Sequence, residues 1–184
     1  MSEFKMIHGS CADQNADIVV NAANRDLRHG SGICGVIFDK AGAPKLEAAC
    51  RGIKTPLNDG DAVLTPAFDM ANSKAIIHAV GPNFGITPDA FDKLFNAYYN
   101  SLLVMKENGY HSISFPLISS SIFGGNLKDA PGESAKQCAL AYRKFTGENP
   151  DYDITVMLCG YGLAEFVSAS KAVRLILPDG AENE

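Results

Sequence analysis

Two asparagines, Asn21 and Asn24, close an apolar run, Asp17-Ile-Val-Val-Asn21, and stand just ahead of a glycine-rich stretch, His29-Gly-Ser-Gly-Ile-Cys-Gly35. A carboxamide can orient a sugar hydroxyl or a water without adding charge. Glycines let the backbone approach a ligand, and the N–H groups of a helix that starts just beyond them point at an anion. A second stretch of this kind, Pro116-Leu-Ile-Ser119-Ser120-Ser121-Ile122-Phe123-Gly-Gly125, lies far downstream, again after a strand-like run. Two such loops in one small domain predict a ligand with two phosphates. Phe123 can cover the apolar face of a sugar.

These loops need strands to carry them. Short apolar runs predict strands over Phe4–His8, Asp17–Ala22, Asp61–Ala67, Lys74–Val80, Ser112–Phe115 and Asp153–Cys159. Helical spacing predicts helices over Gly32–Ala41, Pro44–Gly52, Pro88–Asn108, Ala130–Phe145 and Leu163–Ile176. In the longest of these, Phe91, Leu94, Phe95, Tyr98, Leu102 and Met105 form one apolar stripe, with Thr87 as the expected cap, Pro88 first and Gly109 at the end. Asp129 is the expected cap of the next helix. The alternation reads as α/β layers, a central sheet with helices on both faces. In such sheets ligands sit beyond the carboxyl ends of the strands, where both glycine-rich loops fall. Residues 1–178 read as one domain, and 179–184 as a frayed, flexible acidic tail.

Composition narrows the classes. The chain has 184 residues, 46% hydrophobic and 20% charged, enough for a core of its own. No apolar run reaches ~18 residues, so no membrane span is expected, and the first residues lack a signal-peptide core. Five scattered cysteines argue against a disulfide framework or a zinc site and for a reducing cytoplasm. A net charge of -5 argues against nucleic acid as a partner, but not against a small anion held by loop amides. No P-loop occurs, and neither a metal nor a nicotinamide cofactor has a signal; no cofactor is expected.

With these residues in view, the chain resembles the macro domain family, which binds ADP-ribose. Four segments carry the resemblance: Ile18-Val-Val-Asn-Ala-Ala-Asn24, His29-Gly-Ser-Gly-Ile-Cys-Gly35, Ala75-Ile-Ile-His-Ala-Val-Gly-Pro82, and Pro116-Leu-Ile-Ser to Phe123-Gly-Gly125. It extends from about Lys5 to about Val173 and looks most like the MacroD-type group with its viral branch. The resemblance implies a three-layer α/β/α fold around a central mixed sheet. It also implies a hydrolase that removes ADP-ribose from acidic side chains of proteins or deacetylates O-acetyl-ADP-ribose. A non-catalytic ADP-ribose reader is the alternative, and an ADP-ribose 1″-phosphate phosphatase a third reading.

By resemblance, Asn24 contacts the distal ribose near the scissile bond, and His29 has a catalytic or ribose-orienting role. Gly30, Ser31, Gly32 and Ile33 wrap the pyrophosphate and distal ribose; Ser119, Ser120, Ser121, Ile122 and Phe123 form the second phosphate loop. Ile18 falls among the expected ligand contacts, and Tyr161 reads either as a platform for adenine or as core packing. Three positions depart from the family's pattern. Ser10 stands where many members have an adenine-reading Asp. Cys34 stands where the cellular MacroD-type pattern has its catalytic Asp, and reads as a small buried hydrophobe. The run Ser119-Ser120-Ser121 replaces a sequence with a glycine. Asn21 reads as structural and His78 as a core histidine with its hydrogen bonds satisfied.

Overall fold

The structure is a computed structural model of the chain and describes residues 1–178 and 181–183. One mixed sheet contains β1 (Glu3–His8), β2 (Ile18–Ala23), β3 (Ala62–Pro66), β4 (Ala75–Val80), β5 (Ser112–Pro116), β6 (Thr155–Gly160) and β7 (Ala181–Asn183). Their spatial order is β3-β4-β2-β5-β6-β1-β7. Only the β3–β4 pair is antiparallel. Alternate side chains of each strand point to opposite faces. Ile18 and Val20 of β2, Ile77 of β4 and Phe115 of β5 pack with α3 (Ala90–Glu107), α4 (Ala130–Glu148) and α5 (Leu163–Ile176). Val19, Ala23, Ile76 and Val80 face α1 (Gly32–Ala41) and α2 (Ala43–Arg51) on the other side. This is the expected three-layer α/β/α fold. The interior strand β4 is buried at all six residues.

The chain order opens a crevice at a definite place. From β2 the chain passes through α1 and α2 to β3 and β4 on one flank, then crosses through α3 to β5 on the other. The boundary between β2 and β5 is therefore the topological switch point, where ligands of open α/β sheets bind. The ladder reports the same opening. β2 pairs with β4 along all six residues but with β5 only at Ile18↔Ile113 and Val19↔Ser114. Toward their carboxyl ends β2 and β5 part, and the loops that follow them flank the gap.

The sequence placed the elements to within a few residues, with three differences of substance. Helix α3 starts at Ala90 after Asp89, whose φ is 54° and which makes no side-chain cap. Thr87 is not the cap: its hydroxyl donates to Asp59 at 2.8 Å and accepts from the Asn83 N–H at 3.0 Å, closing the turn before the helix. Phe91 of the expected buried stripe is 42% exposed and meets Phe84 edge-on. At the carboxyl end, Ala181–Asn183 pairs in parallel with β1, where the sequence reads as a frayed tail; residues 179, 180 and 184 lie outside the described residues. The Asp129 cap forms as expected, accepting from the Gly132 N–H at 3.0 Å.

Candidate functional site

The loop after β2 is tied down before it reaches the crevice. Asn24 donates from Nδ2 to the Arg28 carbonyl and accepts the Arg28 N–H at Oδ1, both at 2.9 Å. Leu27, held at φ 53°, plugs the core beneath at 3% exposure. Arg25 is pinned from outside by an ion pair to Asp59 at 2.9 Å and by the Leu57 N–H on its carbonyl at 2.8 Å. His29 then lies against the helices: its ring stacks on Phe38 at 5.1 Å, with Nε2 3.4 Å from Asp39 and Nδ1 3.8 Å from Glu47. The ring is turned onto α1 and α2, so its visible contacts are those of a loop anchor.

Gly30, Ser31 and Gly32 follow, all exposed. Gly32 has φ +59°, and a Cβ there would meet no atom within 4 Å. The space in front of it is open. Helix α1 begins here with Ser31 as an N-cap that makes no side-chain hydrogen bond. The N–H groups of its first turn therefore remain available to an anion. Gly35 lets the loop rest directly on the helix, because a Cβ there would lie 2.7 Å from the Gly30 carbonyl oxygen.

Beneath the loop runs a buried polar chain. Asn21 Nδ2 lies 3.0 Å from His78 Nδ1, and His78 Nε2 lies 2.9 Å from Thr65 Oγ1. Burial holds His78 down at about 4, so it is neutral. An Asn21 N–H donated to Nδ1 leaves the proton on Nε2, where it reaches Thr65. Asn21 Nδ2 also lies 3.6 Å from Cys34 Sγ, whose proton is directed at the Arg28 carbonyl at 3.5 Å. Burial raises the Cys34 thiol, and hydrogen bonds from Asn21 and the Gly30 backbone only partly offset that. Position 34 thus carries a protonated packing group. His78 is the satisfied core histidine the sequence suggested.

The loop after β5 is anchored by side chains of the helical layer. Tyr98 Oη accepts the Ile118 N–H at 2.9 Å, and Ser134 donates to the Ile118 carbonyl at 2.5 Å. Ser119 donates to the Pro82 carbonyl at 2.6 Å and Ser120 to the Leu117 carbonyl at 2.7 Å. Both hydroxyls are turned into the protein, and Ser119 takes φ +58° to achieve it. The N–H groups of Ser121, Ile122 and Phe123 make no hydrogen bond among the described residues. Ile122 is 87% and Phe123 42% exposed, and Phe123 is steadied by the Phe84 N–H on its carbonyl at 2.8 Å.

Asn24, Gly30, Ser31, Gly32 and Ile33 therefore stand on one side of the crevice, and Ser119 to Phe123 on the other. Tyr161 lies exposed at the end of β6, the next strand, rather than in the core. Ser10, at the end of neighbouring β1, accepts the Ala12 N–H at 3.2 Å and caps a short turn. Ile18 does not belong to the site. It is fully buried in the core at the start of β2, about 17 Å of strand from the crevice end. The roles of Tyr98, Ser134 and Gly81 escaped the sequence. A Cβ on Gly81 would lie 2.4 Å from Ile118 Cγ2 and from Ser119 Oγ, so this glycine lets the segment after β4 pack on the loop after β5. Its place after the apolar run Ala75–Val80 was the only available signal.

Comparison with known proteins agrees with this fold. A model of the Macro domain family matches residues 20–132. A protein of Cronobacter sakazakii named O-acetyl-ADP-ribose deacetylase is 41% identical over 125 residues, 66% of this chain and 68% of the relative. An uncharacterized protein of Fusobacterium nucleatum is 38% identical over 80% of this chain and 81% of its own. Among solved structures, a variant of the Oceanobacillus iheyensis macrodomain with ADPR superposes with a TM-score of 0.84 at 28% identity, covering 95% of this chain and 93% of that one. A Trypanosoma brucei macrodomain in complex with ADP-ribose gives 0.80 at 26% identity, covering 93% and 69%.

Proposed function

The chain belongs to the macro domain family, and on that premise we propose that its crevice binds ADP-ribose and hydrolyses esters at the distal ribose. The substrates are O-acetyl-ADP-ribose and proteins mono-ADP-ribosylated on acidic side chains. One observation carries the reading: two sets of unpaired backbone N–H groups, at the start of α1 and over Ser121–Phe123, lie on the segments that follow β2 and β5, the two strands that part toward their carboxyl ends. Two such amide clusters suit a pyrophosphate. The relatives named O-acetyl-ADP-ribose deacetylase support the hydrolytic step.

In the proposed mechanism the first loop and Asn24 orient a water beside the distal ribose. The clamp on Arg28 leaves Asn24 one N–H and one lone pair for that purpose. Position 34 offers no carboxylate, so a substrate phosphate oxygen accepts the water's proton. The water attacks the ester, the phosphate returns the proton to the departing ribose oxygen, and the acid and a ribose hydroxyl are released while loop amides stabilise the developing negative charge. The missing general base slows the reaction, because such assistance is worth ~10²–10⁴-fold. Burial of the Cys34 thiol also favours a second reading, an ADP-ribose reader that releases its ligand unchanged. Five buried free thiols suit a reducing compartment, and we place the protein in the cytoplasm.

The test is incubation with O-acetyl-ADP-ribose and with a mono-ADP-ribosylated glutamate peptide. Release of acetate and of ADP-ribose is expected. Tight ADP-ribose binding with no release from either substrate would assign the reader instead.

A further inference from the structure

A strap of hydrogen bonds and one ion pair joins the loop after β2 to the loop after β5. Its centre is Asp59, in the connection between α2 and β3, with a side chain only 7% exposed. A carboxylate so deeply buried needs partners, and Asp59 takes them from two different segments. Arg25, the residue after Asn24, grips it with two guanidinium nitrogens, Nε at Oδ1 and a terminal nitrogen at Oδ2, each at 2.9 Å. Thr87 donates its hydroxyl to Oδ2 at 2.8 Å. The same connection holds the first loop a second time, through the Leu57 N–H on the Arg25 carbonyl at 2.8 Å. It is itself tied to the end of β4 by the Gly60 N–H on the Val80 carbonyl at 2.7 Å. From Thr87 the strap continues to the second loop. The Thr87 N–H donates to the Asn83 carbonyl and its hydroxyl accepts the Asn83 N–H, which closes the turn 83–87. That turn presents the Phe84 N–H to the Phe123 carbonyl at 2.8 Å, and the Pro82 carbonyl just before it accepts the Ser119 hydroxyl at 2.6 Å. Gly125 packs so close to the turn that a Cβ on it would lie 3.0 Å from the Gly85 nitrogen.

We infer that Asp59 is a positioning residue: through Arg25 and Thr87 it fixes the two loops relative to each other, and with them the spacing of the two amide clusters. The inference rests on the ADP-ribose reading of the crevice. A ligand that bridges both loops then meets a gap already set. Without the strap, the ligand's own binding has to supply that order, and affinity falls. Asp59 acts through the loops and not on the ligand, because both of its oxygens are already taken.

Amide hydrogen exchange, read residue by residue by NMR, and ADP-ribose affinity, read by calorimetry, test this together. Asp59→Asn keeps the shape of the side chain and removes its charge. It is expected to speed exchange about tenfold on both sides of the crevice, at Leu27 in the first loop and at Phe84 and Gly124 on the other side, while Ile77 in β4 keeps its wild-type rate. ADP-ribose affinity should fall about tenfold, the lower end of what a hydrogen bond to a charged group is worth. Thr87→Val cuts only the link to the second loop, so Phe84 and Gly124 should respond and Leu27 should not. Thr87→Ser keeps the hydroxyl and should restore both the exchange rates and the affinity. Should Asp59→Asn fail to fold, the Thr87→Val and Thr87→Ser pair decides alone. Wild-type exchange at Phe84 and Gly124 in Thr87→Val, a loss that Thr87→Ser does not recover, or ADP-ribose affinity unmoved by cutting the strap overturns the inference. If the wild type binds no ADP-ribose, the crevice reading fails, and the exchange rates still decide whether Asp59 joins the loops.

Discussion

At Asn24 the two polar ends of one carboxamide close on the backbone of a single residue, Arg28. The side chain that best suits catalysis is thus also a loop brace. Asn24→Ala is expected to cost about 1–2 kcal/mol of stability through two part-exposed hydrogen bonds. It should lower single-turnover ester hydrolysis by ~10²-fold, as misorientation by about 1 Å can. ADP-ribose affinity, measured by calorimetry, should fall by less, because the loop amides remain. Cys34→Ala should leave turnover close to wild type, since burial keeps that thiol protonated; a dead Cys34→Ala enzyme would make the thiol a nucleophile. Gly32 gives the sharpest contrast between fold and ligand. With open space before its Cα and φ +59°, Gly32→Glu costs the fold about 1–2 kcal/mol of left-handed strain. It also puts a carboxylate where the proposed phosphate site lies. A melting temperature only a few degrees lower, with lost ADP-ribose binding, is the expected pair of results, and retained binding would remove this loop from the site.

Among the elements, α3 and α4 reach through the core to fix the second loop. Tyr98→Phe removes the acceptor of the buried Ile118 N–H and a partner of Ser134. An unpaired buried donor costs about 1–3 kcal/mol. Urea denaturation should show that loss, and ADP-ribose affinity should weaken while the loop after β2 is untouched. The sequence could not disclose this role. Tyr98 falls on the apolar stripe of α3, and spacing along a helix says that a residue is buried, not what its hydroxyl meets. Strands and helices were legible because their periods are local. The loops that carry the proposed site were legible in the glycines and asparagines, but Ile18 is fully buried, because membership of a motif-bearing strand does not give position along it. Thr87 looked like a cap because it precedes Pro88, but its hydroxyl answers to Asp59, 28 residues earlier. Such pairings depend on the long-range fold, and no window of sequence contains them.

For the whole molecule, acid should act in two stages. Burial puts His78 at about 4 when folded, against 6.5 for the exposed side chain. Between those values the unfolded chain binds a proton that the native state refuses, so stability falls as pH drops through that window, by about 3 kcal/mol. Asp17 and Asp59 act lower down. Burial alone would raise their carboxyls, but hydrogen bonds from the His111 N–H and Lys74 to the first, and from Arg25 and Thr87 to the second, hold them below the ordinary value. Their contribution is present above the unfolded carboxylate value, about 3.9, and is lost as pH falls through the lower folded values. Urea titrations from pH 7 to pH 3 should show both stages. In His78→Gln the upper stage should disappear; a slope unchanged in that variant would mean that other groups carry it.

All five cysteines are buried, and burial raises the thiols of Cys11, Cys34, Cys50, Cys138 and Cys159. To a thiol-directed dye the native protein is nearly blank. One cysteine introduced at Leu163, 65% exposed beside Tyr161, would then be the one readily reactive group. A fluorophore attached there would sit next to the proposed adenine end of the crevice. Without removal of any native cysteine, the protein becomes an optical sensor whose signal follows nucleotide arrival and departure in real time.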